Sequence, residues 1–208
     1  MSTFARPTAQ IFSGGVTGAS NGEVPLIGMT DGALVGRTLN GDARAFTELV
    51  DRHAAACLRY ATRMLGDRAE AEDVAQEAFL RAYKALESYD ERLPFRTWLF
   101  SILINRCRTA MSQRMRRERR VVFDNDALER SPVEGEAAQD SMELREELNR
   151  AIAALSPEQR EAFLLRHIED LSYEEIMSVT GAGMSALKMR VKRACERLQQ
   201  LLAEGVRP

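Results

Sequence analysis

Residues 73–108 read DVAQEAFLRAYKALESYDERLPFRTWLFSILINRCR. The block holds an acidic helix, a short polar loop and an aromatic-rich helix that turns basic, an order that packing alone does not require. A helix facing a core needs apolar residues every three or four positions, and Val74, Ala78, Phe79, Ala82 and Leu86 supply them on one face. The opposite face carries Asp73, Gln76, Glu77, Leu80 and Lys84, a polar surface with one exposed leucine at its centre, which suits a protein partner. The next helix opens at Pro94, buries Phe95, Trp98, Leu99, Ile102 and Leu103, and then presents Asn105, Arg106 and Arg108. It runs on into Arg114, Arg116, Arg117, Arg119 and Arg120, a density of positive charge that points to nucleic acid.

The whole chain has 208 residues, 45% of them apolar and 29% charged, the make-up of a globular protein with material for one large domain or two small ones. Its formal net charge is only −2, so no global field draws it to DNA, yet the charges are sorted along the sequence. Residues 104–120 hold seven arginines against one glutamate, while residues 124–147 hold nine acids against Arg130 and Arg145. A basic surface and an acidic connector therefore coexist, and the second can screen the first. Cys57, Cys107 and Cys195 lie far apart with no CxxC pair, which indicates neither a disulfide framework nor a zinc ribbon and fits a reducing, cytoplasmic setting. The N-terminus lacks a basic, then apolar leader, and no run of 18 apolar residues occurs, so export and membrane insertion are not expected.

Residues 1–30 are rich in Gly, Ser, Thr and Ala with scattered hydrophobes. That is too little apolar surface to offset an ordering cost of roughly 1–2 kcal/mol per residue, and the expectation is a disordered tail. A short helix starts at Asp31 and ends at Asn40-Gly41; Asp42 then caps a long helix through Phe46, Leu49, Val50, His53, Cys57, Ala61 and Met64, which Gly66 ends. Asp67 and Glu70 have capping-box spacing and launch the acidic helix. Periodicity fades past the arginines, where Pro132, Gly135 and many acids mark a flexible linker. Beyond it, Leu144, Leu148, Ile152 and Leu155 share a face, and Ser156-Pro157-Glu158-Gln159 restarts the chain with cap, N1 proline and box glutamine. A helix capped by Ser172 with Glu175 ends at Gly181, and a last one runs from Met184 to about Ala203 on Leu187, Val191, Ala194 and Leu198. No stretch alternates as a strand does, so the fold is read as all-α, two small helical domains on a flexible acidic linker.

A short capped helix, a glycine turn and a longer basic helix make a helix-turn-helix, whose second helix enters a major groove. With Leu187, Val191 and Leu198 buried, about 100° per residue turns Ser185, Met189, Lys192, Arg193 and Glu196 outward, with Lys188 and Arg190 on the flanks. The arginine run after Trp98 suits single-stranded or opened DNA, where arginine tracks the backbone and the Asn105 amide offers donor and acceptor to a base edge. His53 and Cys57 stand at i, i+4, but two ligands on a buried face make no metal site, and none is expected. No GxxxxGK[ST] loop, GxGxxG turn or nucleophile elbow is present, so the reading is a non-enzyme without cofactor. Paired acids such as Glu174-Glu175 are read as cap residues on solvated faces.

DVAQEAFLRAYKAL followed by FRTWLFSILINRCR, then LSPEQREAFLLRHIEDLSYEEI and ALKMRVKRACERL, resembles the extracytoplasmic-function sigma factors of bacteria over about residues 31–203. The resemblance implies sigma domain 2 over 31–117, a linker over 118–141 and sigma domain 4 over 142–205. It implies that Asp73, Gln76, Glu77 and Leu80 dock on core RNA polymerase. It further implies that Ser88, Tyr89, Asp90, Arg92, Asn105, Arg106, Arg108, Arg114, Arg116 and Arg117 read and open the minus-10 element, holding the melted non-template strand. Ser185, Lys188, Met189, Arg190, Lys192 and Arg193 would read the minus-35 duplex, and an anti-sigma factor would be a further partner in a stress response. Where the family's turn often carries Pro and then Thr-Val, this chain has Gly183 and Ala186-Leu187. Three rival readings are a decoy that titrates an anti-sigma factor, an ordinary helix-turn-helix regulator that grips duplex DNA without polymerase, and an α-helical enzyme, for whose pocket the sequence offers no candidate polar groups.

Overall fold

The computed structural model describes residues 26–121 and 139–205. Among these, eight α-helices carry the chain with one 3-10 turn and one π-turn, and no strand occurs, as the absence of alternation requires. Residues 1–25 of the expected tail and residues 122–138 of the expected linker lie outside the described residues. By contact the chain divides at Arg52 into residues 1–52 and 53–208.

In the first unit, residues 26–30 form a turn, with Met29 N–H donating to the Leu26 carbonyl at 3.2 Å. Helix α1 spans Asp31–Leu39, with the Thr30 hydroxyl accepting from Ala33 N–H at its start. Helix α2 spans Ala43–Leu65. Gly41 takes φ +92°, open only to glycine at low cost, and Asp42 accepts from the Arg44 N–H at 3.2 Å while gripping Arg37 at 2.5 Å. Arg52 gathers the unit's ends: it donates to Glu48 at 2.8 Å, to Asp31 at 3.1 Å and to the Met29 carbonyl at 2.6 Å.

In the second unit, helix α3 spans Arg68–Lys84 and helix α4 spans Phe95–Val121. Four of the residues α3 buries are alanines, Ala71, Ala75, Ala78 and Ala82, so α4 can lie close along it. Between them Leu86–Ser88 makes the 3-10 turn. Asp67 caps α3 through Glu70 N–H at 2.9 Å, but the Glu70 carboxylate lies 4.0 Å from both Arg114 and Arg117 on α4. Phe95, Leu99, Phe100, Leu103 and Ile104 fill the core from α4, and Tyr60 meets Phe100 edge to face with centroids 5.5 Å apart. Trp98 and Ile102, expected inside, are half-buried, because the α4 core stripe runs through Phe100 and Ile104 beside them. His53 and Cys57 are core residues, and burial pushes the Cys57 thiol upward and the Cys107 thiol up to about 12.

Helices α5 (Gln139–Ala153) and α6 (Pro157–Phe163) follow, with α7 over Tyr173–Thr180 and α8 over Met184–Gly205. Both capping boxes form, Ser156 with Gln159 and Ser172 with Glu175, each cap worth ~1 kcal/mol. Gly181 ends α7 in the left-handed region at φ +72°, which aims the chain into α8. Leu187, Val191, Ala194 and Leu198 are the buried stripe of α8, onto which α5, α6 and α7 pack. Between α6 and α7 the helix widens into a π-turn over Leu164–Ile168 and closes at Asp170, a non-glycine residue at φ +54°. Nothing in helical periodicity announces that extra residue. Helix α7 also packs against α4. Among the described residues no helix is long and apolar enough to cross a membrane.

Candidate protein-docking and nucleic-acid surfaces

The outer face of α3 comes first in the chain. Asp73 and Gln76 are exposed, and Leu80 remains 39% exposed with Tyr83, 41% exposed, one turn on. Tyr83 was not singled out by sequence because an aromatic at the edge of a stripe reads as core. Glu77 is less free than its neighbours: Arg81 donates to it at 2.9 Å, and Arg106 reaches it from α4. Those partners, Arg81 first, hold the Glu77 carboxyl below its usual range although burial opposes them.

Helix α4 carries the second surface. Taking about 100° per residue from Trp98, the residues Ile102, Asn105, Thr109, Ser112 and Arg116 fall within about 40° of one line. Asn105, Ser112 and Arg116 on that line are exposed, and Trp98, Ile102 and Thr109 are half-buried. Arg106 stands about 80° to one side and Arg108 about 80° to the other. The structure uses both: Arg106 pairs with Glu77, and Arg108 meets Glu161 of α6 fork to fork at 2.7 and 2.8 Å. Arg114 is likewise engaged, donating to the Leu65 carbonyl at 3.3 Å and to Glu118 at 3.1 Å, whereas Arg116 and Arg117 are exposed. Thr109 and Ser112, which sequence reasoning passed over, belong to the same open line, their hydroxyls donating to the Asn105 and Arg108 carbonyls at 2.8 and 2.9 Å.

The loop beside this line is stiff at one point and open at another. Tyr89 packs against Phe95 and Trp98 at 5.6 and 5.3 Å between centroids, and its hydroxyl donates to the Leu93 carbonyl at 2.7 Å, so it braces the loop. Ser88 is exposed, with its hydroxyl turned to the Ala85 carbonyl at 2.6 Å. Asp90 accepts from the Arg92 backbone at 3.0 Å and side chain at 3.1 Å, contacts that lower its pKa in that order, and the Arg92 side chain is 90% exposed.

The third surface lies on α8. Ser185, Lys188, Met189, Lys192 and Arg193 are exposed and Arg190 is half-buried, as a stripe on Leu187 and Val191 dictates. Lys188 sits 5.8 Å over the Tyr173 ring of α7, and Lys192 is 3.8 Å from Glu196. Arg193 has neither restraint among the described residues, which leaves it able to reach a base edge or a phosphate. Glu175, read from sequence as lying on a solvated face, is half-buried and accepts from the Thr97 hydroxyl of α4 at 2.9 Å; a cap residue whose carboxylate has a second oxygen can serve two helices at once. Among the described residues no group of His, Cys, Asp and Glu is arranged to hold a metal ion.

These surfaces fall within two family matches, Sigma-70 region 2 over residues 49–120 and Sigma-70, region 4 over residues 145–198. The chain is 34% identical over 180 residues to the RNA polymerase sigma-H factor of Pseudomonas aeruginosa, covering 83% of this chain and 93% of the relative. It is 32% identical over 189 residues to the ECF RNA polymerase sigma-E factor of Escherichia coli K12, covering 86% and 97% respectively. Among solved structures, the sigma factor RpoE of Bartonella quintana, crystallised with the anti-sigma factor NepR, superimposes with a TM-score of 0.66 at 28% identity over 77% of this chain and 98% of that one. With helix order, capped turn and both families in agreement, the chain belongs to the extracytoplasmic-function sigma factors, the RNA polymerase factors of promoter-specific transcription.

Proposed function

We propose that this sigma factor docks on core RNA polymerase through Asp73, Gln76, Glu77 and Leu80 of α3, and places residues 31–117 on the minus-10 element and residues 142–205 on the minus-35 element. The observation that carries the reading is the exposed apolar pair Leu80 and Tyr83 on a helix whose other large apolar side chains are buried. Such a pair framed by polar residues suits a protein partner. Asn105 and Arg116 on the open line of α4, with Ser88, Asp90 and Arg92 in the loop, would then face the non-template strand. Arg106, Arg108 and Arg114 act first as struts, and Tyr89 as a brace. Ser185, Lys188, Met189, Arg190, Lys192 and Arg193 would line the minus-35 major groove.

Unstacking a base step costs a few kcal/mol. The sequence has no nucleotide-hydrolysing motif to supply it, so captured bases and phosphate contacts must offset the opening while polymerase holds the duplex. The working compartment is the cytoplasm, and an anti-sigma factor is a further partner. Run-off transcription with purified core enzyme on a randomised promoter library tests the whole reading and recovers both elements. Absence of any promoter-dependent transcript sinks it, and tight duplex binding without polymerase favours a free-standing regulator.

A further inference from the structure

The large apolar side chains of α8 are covered, wholly or in part, with one exception. Leu187, Val191 and Leu198 are buried, and Met184, Leu201 and Leu202 are half-buried, but Met189 stays 47% exposed. At about 100° per residue Met189 lies roughly 160° from both Leu187 and Val191, so it stands farthest from the core that α8 closes. Packing does not account for it. Ser185, Ala186, Lys192 and Arg193 surround it, each exposed and each within about 60° of its direction. The two on the N-terminal side, Ser185 and Ala186, are small, so the helix backbone can come close to whatever faces it there. Two of the nearby cations are engaged within the protein: Lys188 lies over the Tyr173 ring at 5.8 Å, and Lys192 is 3.8 Å from Glu196.

We propose that Met189 is a specificity residue that reads the C5-methyl group of a thymine in the minus-35 duplex. The proposal rests on the sigma-factor reading above and names the base its recognition helix selects. The N-terminal residues of such a helix are the ones that reach base edges, and Met189 lies in the second turn of α8. In the major groove those edges offer ring and carbonyl acceptors, amino donors and, on thymine alone among the four bases, a methyl group. A thioether donates no hydrogen bond and accepts only weakly, so against guanine or adenine it leaves the purine N7 acceptor without a partner. Against a thymine methyl it covers apolar surface on both sides, and its rotatable bonds let it settle on that contact without moving the helix. Base choice at this pair comes from an apolar contact, while Arg193, about 40° away and one turn on, remains able to bond a neighbouring pair.

The test uses the full chain with core polymerase on a promoter recovered from the randomised library. Each minus-35 thymine, on either strand, is replaced singly by deoxyuridine, which lacks only the methyl group, and affinity is read by competition against the unmodified promoter. At one thymine the exchange should weaken wild-type binding about fourfold, the worth of one buried carbon. Met189→Ala should bind the thymine and uracil promoters equally well at that position. Met189→Gln, which keeps the length of the side chain and loses its apolar tip, should do the same. Both substitutions fall at an exposed position and place good helix formers there, so circular dichroism should match wild type. Uracil tolerated at every minus-35 thymine overturns the assignment, as does a recovered element with no A·T pair. A uracil penalty that survives in both variants also overturns it, since another residue then reads the methyl. If wild type gives no promoter-dependent transcript, the functional reading falls and takes the assignment with it, whereas transcription indifferent to uracil sinks the thymine contact alone.

Discussion

The Glu77 carboxylate of α3 is bound by the Arg106 guanidinium of α4, so a residue of the proposed docking face and a residue beside the proposed DNA-facing line are one ion pair. The pair is partly exposed, and Arg81 competes for the same carboxylate, which puts its worth in the range of about 0.5–1 kcal/mol. Glu77→Gln should therefore leave the fold intact while weakening both polymerase affinity and open-complex formation. Arg106→Gln should add little on top of it. A double-mutant cycle on polymerase affinity checks this, and additive losses would separate the two faces.

Asn105 stands exposed on the open line of α4 with no charge of its own. Asn105→Ala should lower open-complex formation by roughly 5- to 150-fold, the range of about 1–3 kcal/mol for a lost base contact, with polymerase binding unchanged. Permanganate footprinting beside a pull-down reads both quantities. Unaltered melting removes the base-reading role.

Leu80→Arg with Gln76→Arg puts two like charges on the uncovered patch. Both side chains project from the fold, so stability should change by less than about 0.5 kcal/mol, while polymerase binding is abolished. Retained binding in a pull-down would move the docking site elsewhere.

The Tyr60 hydroxyl is buried with no hydrogen-bond partner among the described residues. Leaving such a group dry costs about 1–3 kcal/mol, and removing it while keeping the ring against Phe100 recovers part of that. Tyr60→Phe should unfold at the same or higher urea concentration, with a gain of up to about 1 kcal/mol. A loss greater than about 0.5 kcal/mol would mean the hydroxyl has a partner, such as ordered water.

Burial works against ionisation of Glu175, but the Ser172 N–H, the Thr97 and Ser172 hydroxyls and Arg96 outweigh it and hold the carboxyl below its ordinary 4.5. A depressed carboxylate lends stability that is fully present above the unfolded value and is lost as pH falls through the folded one. The stability gap between wild type and Glu175→Gln should therefore be widest near pH 6 and shrink toward pH 3 in urea melts. A gap that grows on acidification refutes the sign.

Helix starts were legible because capping is local: Ser156-Pro157 and Ser172 declare themselves within four residues, and Gly181 and Gly66 close what precedes them. The α8 stripe was legible for the same reason, since Leu187, Val191 and Leu198 repeat at helical spacing. Partnerships at long range were not. Glu161, Glu169 and Glu175 look like surface acids on their own helices, and only the approach of α4 turns them into acceptors for Arg108, Arg96 and Thr97. The π-turn was hidden because one extra residue leaves a hydrophobic run such as Leu164-Leu165 looking helical. The basic character of α4 was legible as a run of arginines but its exposed line was not legible residue by residue, because Arg106 and Arg108 leave the line of Asn105 by about a quarter turn each.

The thiol burial in the core has a practical side. Cys57 and Cys107 stay protonated and enclosed, whereas Cys195 is half-exposed on α8. A maleimide dye offered to the native protein therefore reacts first at Cys195, placing a fluorescent reporter on α8, the proposed recognition helix, with no engineered mutation.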